Sequence, residues 1–147
     1  MKKIFLSFFS LFAIFISLSA QPVLDSARKI AADKHELILL NFSGSDWCGP
    51  CIRMHKEILD TKSFKKVSED NLVMINADFP RKKKNQLSKK LQKQNDALAE
   101  KYNPTGKFPY TLLLNAEGKV VKTWDGLPDE NAEQFADEVK ALCKNAR

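Results

Sequence analysis

The chain has 147 residues, 44% of them hydrophobic and 29% charged, with three cysteines and a formal net charge of +6 at pH 7. A length of this order suits one domain. The balance of apolar and charged residues excludes a disordered chain and fits one globular core.

Residues 1–20 differ sharply from the rest of the chain. Lys2 and Lys3 make a positive start, Ile4 to Leu18 is apolar apart from serines, and Ser17-Leu18-Ser19-Ala20 supplies small residues for cleavage. This is the pattern of a signal peptide. An apolar run of about fifteen residues falls short of the roughly twenty that span a bilayer. The expected organisation is a signal peptide over 1–20 and one domain over 21–147. The product is exported, periplasmic or secreted, monomeric, and has no stable membrane insertion after cleavage. Removing residues 1–20 removes two lysines and no acid, so +6 becomes +4.

The spacing of Val23, Leu24, Ala27, Ile30 and Ala31 predicts a helix over Val23–Asp33. Leu37 to Phe42 reads as a strand buried on both faces. After a loop at Ser43–Asp46, a helix is expected from near Cys48 to about Leu59, with Pro50 in its first turn, where a missing N–H costs nothing. Leu72 to Ala77 reads as a second buried strand. A helix through Leu91, Leu98 and Tyr102 ends at Pro104 and Gly106. Tyr110–Leu114 and Lys119–Trp124 read as an antiparallel hairpin turning at Asn115–Gly118. Pro128-Asp129 opens a last helix with Phe135, Val139 and Leu142 on one face. Strands alternating with helices and then a hairpin mean a mixed sheet with helices on both faces.

The basic run Arg81-Lys82-Lys83-Lys84, followed by Lys89, Lys90 and Lys93, contains no aromatic residue. It reads as a solvated face, and no nucleic-acid partner is expected.

Cys48 and Cys51 flank Gly49-Pro50, a spacing open to a metal knuckle, a structural disulfide or a redox-active dithiol. In an oxidising compartment thiols tend to pair, and these two are close enough to do so, which leaves Cys143. A thiol at a helix start meets unpaired N–H groups and a partial positive charge, and both favour the reactive thiolate. Cys48 is then the exposed attacker, and Cys51, one turn on, resolves the mixed disulfide. As a purely structural link the pair closes too small a loop to add much stability. His55 lies four residues after Cys51 and could share a metal with it, but zinc sites want four ligands and only Cys143 and His35 remain. No metal is expected, and His55 reads as a half-exposed helix residue.

Trp47-Cys48-Gly49-Pro50-Cys51 resembles the active-site motif of the thioredoxin superfamily. Phe108-Pro109-Tyr110-Thr111 is similar to the family's cis-proline segment, and Asn115-Ala116-Glu117-Gly118 to its hairpin turn. The resemblance covers roughly residues 35–145 and implies an α/β thioredoxin-like fold, a central mixed sheet of about four to five strands flanked by helices on both faces. It implies Cys48 and Cys51 as catalytic residues, with Trp47, Gly49, Pro50, Phe108 and Pro109 binding or positioning substrate. Pro109 would be cis and would shield the disulfide from metal ions. Phe108 would pair its backbone with an extended substrate segment. No cofactor is implied beyond the redox-active Cys48–Cys51 disulfide. The implied partners are protein disulfide substrates and an electron donor or acceptor.

The activity so implied is that of an exported thiol–disulfide oxidoreductase reducing or isomerising protein disulfides. The alternative is a binding module that captures metal or an unfolded chain without turnover. Three departures accompany the resemblance. The loop before Trp47 is one residue longer than in cytosolic thioredoxin. The family's buried acid and its lysine partner fall at Asn41 and Met74, which leaves Asp46 or a water to take the proton of Cys51. Residues 79–95 look inserted. Cys143 is expected to be a buried, inert thiol.

Overall fold

The computed structural model describes residues 22–146, so the predicted signal peptide lies outside the described residues. In chain order the elements are α1 (Pro22–Lys34), β1 (Leu37–Ser43), α2 (Gly49–Arg53), α3 (Lys62–Asn71), β2 (Leu72–Asp78), α4 (Lys89–Tyr102), β3 (Tyr110–Leu114), β4 (Val120–Asp125) and α5 (Ala132–Asn145). A π-helical stretch, Met54–Leu59, continues α2, and a short 3-10 turn, Lys83–Asn85, precedes α4.

The sheet has the order β2-β1-β3-β4. β1 runs parallel to β2 and antiparallel to β3, and β3 and β4 form the predicted hairpin, with a register shift at Leu113/Leu114. Gly118 turns that hairpin at φ 78°, where any side chain would also meet the Tyr102 hydroxyl. Every residue of β1 is buried. Side chains alternate across a strand, so Ile38, Leu40 and Phe42 join the core under α1 and α4. Leu37 and Leu39 join the core under the α2–π segment, α3 and α5, built from Met54, Ile58, Phe64, Phe135 and Val139. Two covered faces explain why β1 reads as an unbroken apolar run.

Two expectations need correction, and one element was missed. α3 was not foreseen. Only Phe64 and Val67 are buried in it, too narrow a stripe to stand out among its polar residues. Thr61, whose hydroxyl accepts from Phe64 N, and packing against α5 make it a helix. The last helix begins at Ala132 rather than near Pro128, because Asn131 and Gln134 form a capping box there. β2 is an edge strand and is not buried on both faces, since Met74 remains 44% exposed. The site aligned with a buried lysine is therefore open to solvent.

Candidate active site

β1 ends at Ser43, and the loop after it folds back on itself, with Cys48 N donating to Gly44 O at 2.9 Å. Cys48 then N-caps α2, and its Sγ accepts from Cys51 N at 3.2 Å. Gly49 and Pro50 form the exposed first turn. Cys48 and Cys51 are joined in a disulfide, with Cα atoms 5.2 Å apart. Cys48 is 6% exposed and Cys51 0%. The expected exposed attacker thus shows only a small window in the oxidised state, yet it remains the more accessible of the two.

Trp47 is half-buried and held by contacts from three segments. Its indole packs on Gly44, where a Cβ would collide with the ring. Its Nε1 donates to Phe79 O at 2.7 Å. Its ring meets Phe108 edge-on at 5.4 Å, and Phe108 meets Phe79 at 5.6 Å. These contacts bring the Phe108–Pro109 segment, far away in sequence, to the border of the cysteine motif. The Phe108–Pro109 peptide bond is cis, and Pro109 is buried. The seven site residues singled out in the sequence therefore gather at one end of β1.

Beneath α2, one rung of the sheet carries polar side chains. Asn76, Asn41 and Thr111 are register partners across β2, β1 and β3. Asn41, 1% exposed, accepts from the Thr111 hydroxyl at 2.9 Å and donates to Asn76 Oδ1 at 3.2 Å. Its Nδ2 also lies 3.3 Å from His55 Nε2. An amide N–H pointing there requires the lone pair of a neutral imidazole. His55 is half-buried and stands one helical turn beyond Cys51.

Asp46 does not reach toward Cys51. Its carboxylate accepts from Arg81 N, Lys82 N and Asn85 Nδ2, each at 2.9 Å. The Arg81 amide first, then the Asn85 side chain and Lys82, hold its pKa below the ordinary carboxylate value. Of the two replacements left open for the missing buried acid, Asp46 or a water, Asp46 is taken up by these bonds, which turn it toward the inserted segment.

A family model described as a thioredoxin-like domain matches residues 24–142. The chain belongs to the thioredoxin-like family. Among its thioredoxin-like relatives is a protein of Chlamydia pneumoniae named disulfide bond reductase DsbH. The two are 36% identical over 110 residues, which is 75% of this chain and 64% of that protein. The thioredoxin-related protein DsbJ of Chlamydia pneumoniae is 28% identical over 106 residues, covering 72% of this chain and 29% of DsbJ. The chain thus spans less than two thirds of the length of these relatives. A solved structure titled DsbH oxidoreductase matches with a TM-score of 0.72 at 31% identity, over 80% of this chain and 79% of that one. A disulphide isomerase from Xylella fastidiosa Temecula1 matches at 0.59 and 18% identity, over 84% and 93%, and shares the thioredoxin-like fold.

Cys143 lies in the α5 core, 2% exposed, with its Sγ 3.9 Å from Asn71 O. Among the described residues, no group of three or more His, Cys, Asp or Glu is gathered where it could hold a metal ion. Sequence reasoning missed Phe79, Arg81 and the role of Asp46. The only signal for them was the length of the 79–95 insertion, which does not say where the segment docks.

Proposed function

We propose that this thioredoxin-like domain is a thiol–disulfide oxidoreductase that reduces protein disulfides through Cys48 and Cys51. The observation that carries the reading is Cys48 Sγ at the N-cap of α2, receiving the Cys51 N–H. That N–H and the helix end favour a thiolate at Cys48 once the pair is reduced.

Reduction of a substrate proceeds in two exchanges. The Cys48 thiolate attacks one sulfur of the substrate disulfide, forms a mixed disulfide and releases the other sulfur as a thiolate. Cys51 then loses its proton and attacks Cys48 Sγ. The Cys48–Cys51 bond closes and the second substrate thiolate leaves, so two electrons have passed to the substrate. A dithiol donor must restore the reduced pair. Trp47, Gly49, Pro50, Phe108 and Pro109 line the approach and position the substrate chain.

Cys51 is fully buried, and Asn41, in place of the family's acid, cannot take its proton. His55 is the titratable side chain one turn away, held by Asn41 from below. We assign it as the proton acceptor for the second exchange, Nε2 exchanging the Asn41 N–H it accepts at rest for the proton of Cys51. The relative's name and the Gly-Pro pair support reduction over oxidation, while isomerisation uses the same first exchange. The charged start and apolar run of residues 1–20 support export as a signal peptide, with residues 21–147 as the working domain.

The reading is tested by reduction of insulin with dithiothreitol as donor. The protein is expected to accelerate the reaction, Cys48→Ser to lower it to the rate of dithiothreitol alone, and Cys51→Ser to accumulate mixed disulfides. Acceleration that survives Cys48→Ser would overturn the assignment.

A further inference from the structure

Seven cations and no acid occupy the thirteen residues from Arg81 to Lys93. As a merely solvated face the segment would need no particular place in the fold, yet it is fastened to the disulfide end of the molecule. Asp46, two residues before Cys48, binds the Arg81 and Lys82 amides and the Asn85 side chain. Trp47, next to Cys48, binds Phe79 O, and the Arg81 guanidinium lies 3.6 Å over its ring.

Asp46 takes backbone and amide donors, so it fixes the segment without pairing with the side-chain charges. Beyond its backbone N–H, Lys82 acts on it only through the field of its ammonium group. Arg81, Lys82, Lys83, Lys84, Lys89, Lys90 and Lys93 are all exposed. Among the described residues none of them has a carboxylate within 4.0 Å, whereas Arg53, Lys107 and Lys122 each have such a partner. The 3-10 turn at Lys83–Asn85 leads into a shallow groove of ≈ 370 Å³ lined by Pro80, Leu87, Lys89 and Lys93. The acid in that groove, Asp96, accepts from Gln92. Like charges packed this closely repel one another and destabilise the folded state. The compensation expected for such an arrangement is an anionic partner.

We infer that residues 81–93 form a basic docking lip for an acidic polypeptide segment adjoining the disulfide that Cys48 attacks. This rests on the oxidoreductase reading and adds the substrate class to it. A polypeptide fits better than a lipid surface. The lip borders Trp47 and the cysteine motif, so an acidic chain seated there carries its own cystine to Cys48, while an anionic membrane would cover the motif and bring no disulfide. It fits better than nucleic acid because residues 81–93 carry no aromatic side chain on which a base could stack, and the neighbouring Trp47 ring is already stacked by Arg81. Complementary charge acts chiefly on the rate of encounter, so the lip selects among substrates through kcat/KM.

The test compares two cystine peptides, identical except for glutamates or lysines flanking the disulfide, in the wild type and in Lys82→Glu/Lys83→Glu/Lys84→Glu. In about 0.01 M salt the wild type is expected to reduce the glutamate peptide with a kcat/KM at least about tenfold higher than the lysine peptide. The ratio should shrink at about 0.15 M salt and fall toward one in the triple variant, which leaves four cations and three acids in the segment. Equal rates for the two peptides in the wild type, or an unchanged ratio in the variant, would overturn the lip. So would lysine-dependent binding to phosphatidylserine vesicles in the absence of any peptide preference. Reduction of neutral bis(2-hydroxyethyl) disulfide by the wild type is measured alongside. Its failure would sink the oxidoreductase reading alone, and fluorescence anisotropy of labelled, serine-substituted versions of the two peptides would then decide the lip.

Discussion

Cys51 poses a proton problem that a single residue must solve. The thiol is wholly buried, and the amide at position 41 has no basic lone pair to offer. The buried row answers with geometry. Thr111 and Asn76 fix the Asn41 side chain, and Asn41 fixes the His55 ring one turn beyond the thiol. A positioned base is worth two or more orders of magnitude when the proton moves in the limiting step. His55→Gln is therefore expected to slow resolution of a preformed mixed disulfide by at least about tenfold. Rapid-quench trapping would read that step, and iodoacetamide reactivity of Cys48 would read the separate first step. Resolution at the wild-type rate would remove His55 from the mechanism.

At the scale of elements, the loop before α2 and the segment before α4 are one construction. A carboxylate at 46 satisfies two backbone N–H groups of a segment with little apolar anchorage, and Trp47 adds a third tie through Phe79 O. Since the folded state lowers the Asp46 pKa below its ordinary value of 3.8, the tie is complete above that pH and is lost as pH falls through the folded value. Protection of the Arg81 and Lys82 amides from hydrogen exchange, taken relative to the intrinsic rate at each pH, should fall when Asp46 is replaced by alanine, and in the wild type on acidification below 3.8. Protection at Phe135, deep in α5, should respond to neither. The same scale explains α3. Its Phe64 and Val67 carry too few apolar positions to announce a helix, and α5 supplies the surface that makes one worthwhile.

For the molecule as a whole, β1 is the axis, with a core on each face. On the α5 side Phe135, fully buried, lies 5.1 Å from Trp124 and 5.7 Å from Phe64. Phe135→Ala removes the ring that joins β4, α3 and α5, and is expected to cost about 3–5 kcal/mol. Urea unfolding followed by tryptophan fluorescence would measure it, and a loss under about 1 kcal/mol would show that the α5 core collapses around the gap. The aromatic partners of Phe135 are Trp124 and Phe64, neither of them in the cysteine motif. The variant is therefore a probe of stability rather than of sulfur chemistry.

The cysteine motif, the proline segment, the strands and the hairpin were legible in the sequence because each is a local pattern. A CxxC pair at a helix start, an apolar run of strand length and an Asn-Ala-Glu-Gly turn all declare themselves within a few residues. Three things were not legible: the edge position of β2, the Asn41–His55 contact across 14 residues, and the docking of the 81–93 segment on Asp46 and Trp47 across 35. Each depends on which strand lies outermost or which loops share an end of the sheet. Those are properties of strand order and of contacts between distant segments, so only the assembled tertiary structure decides them.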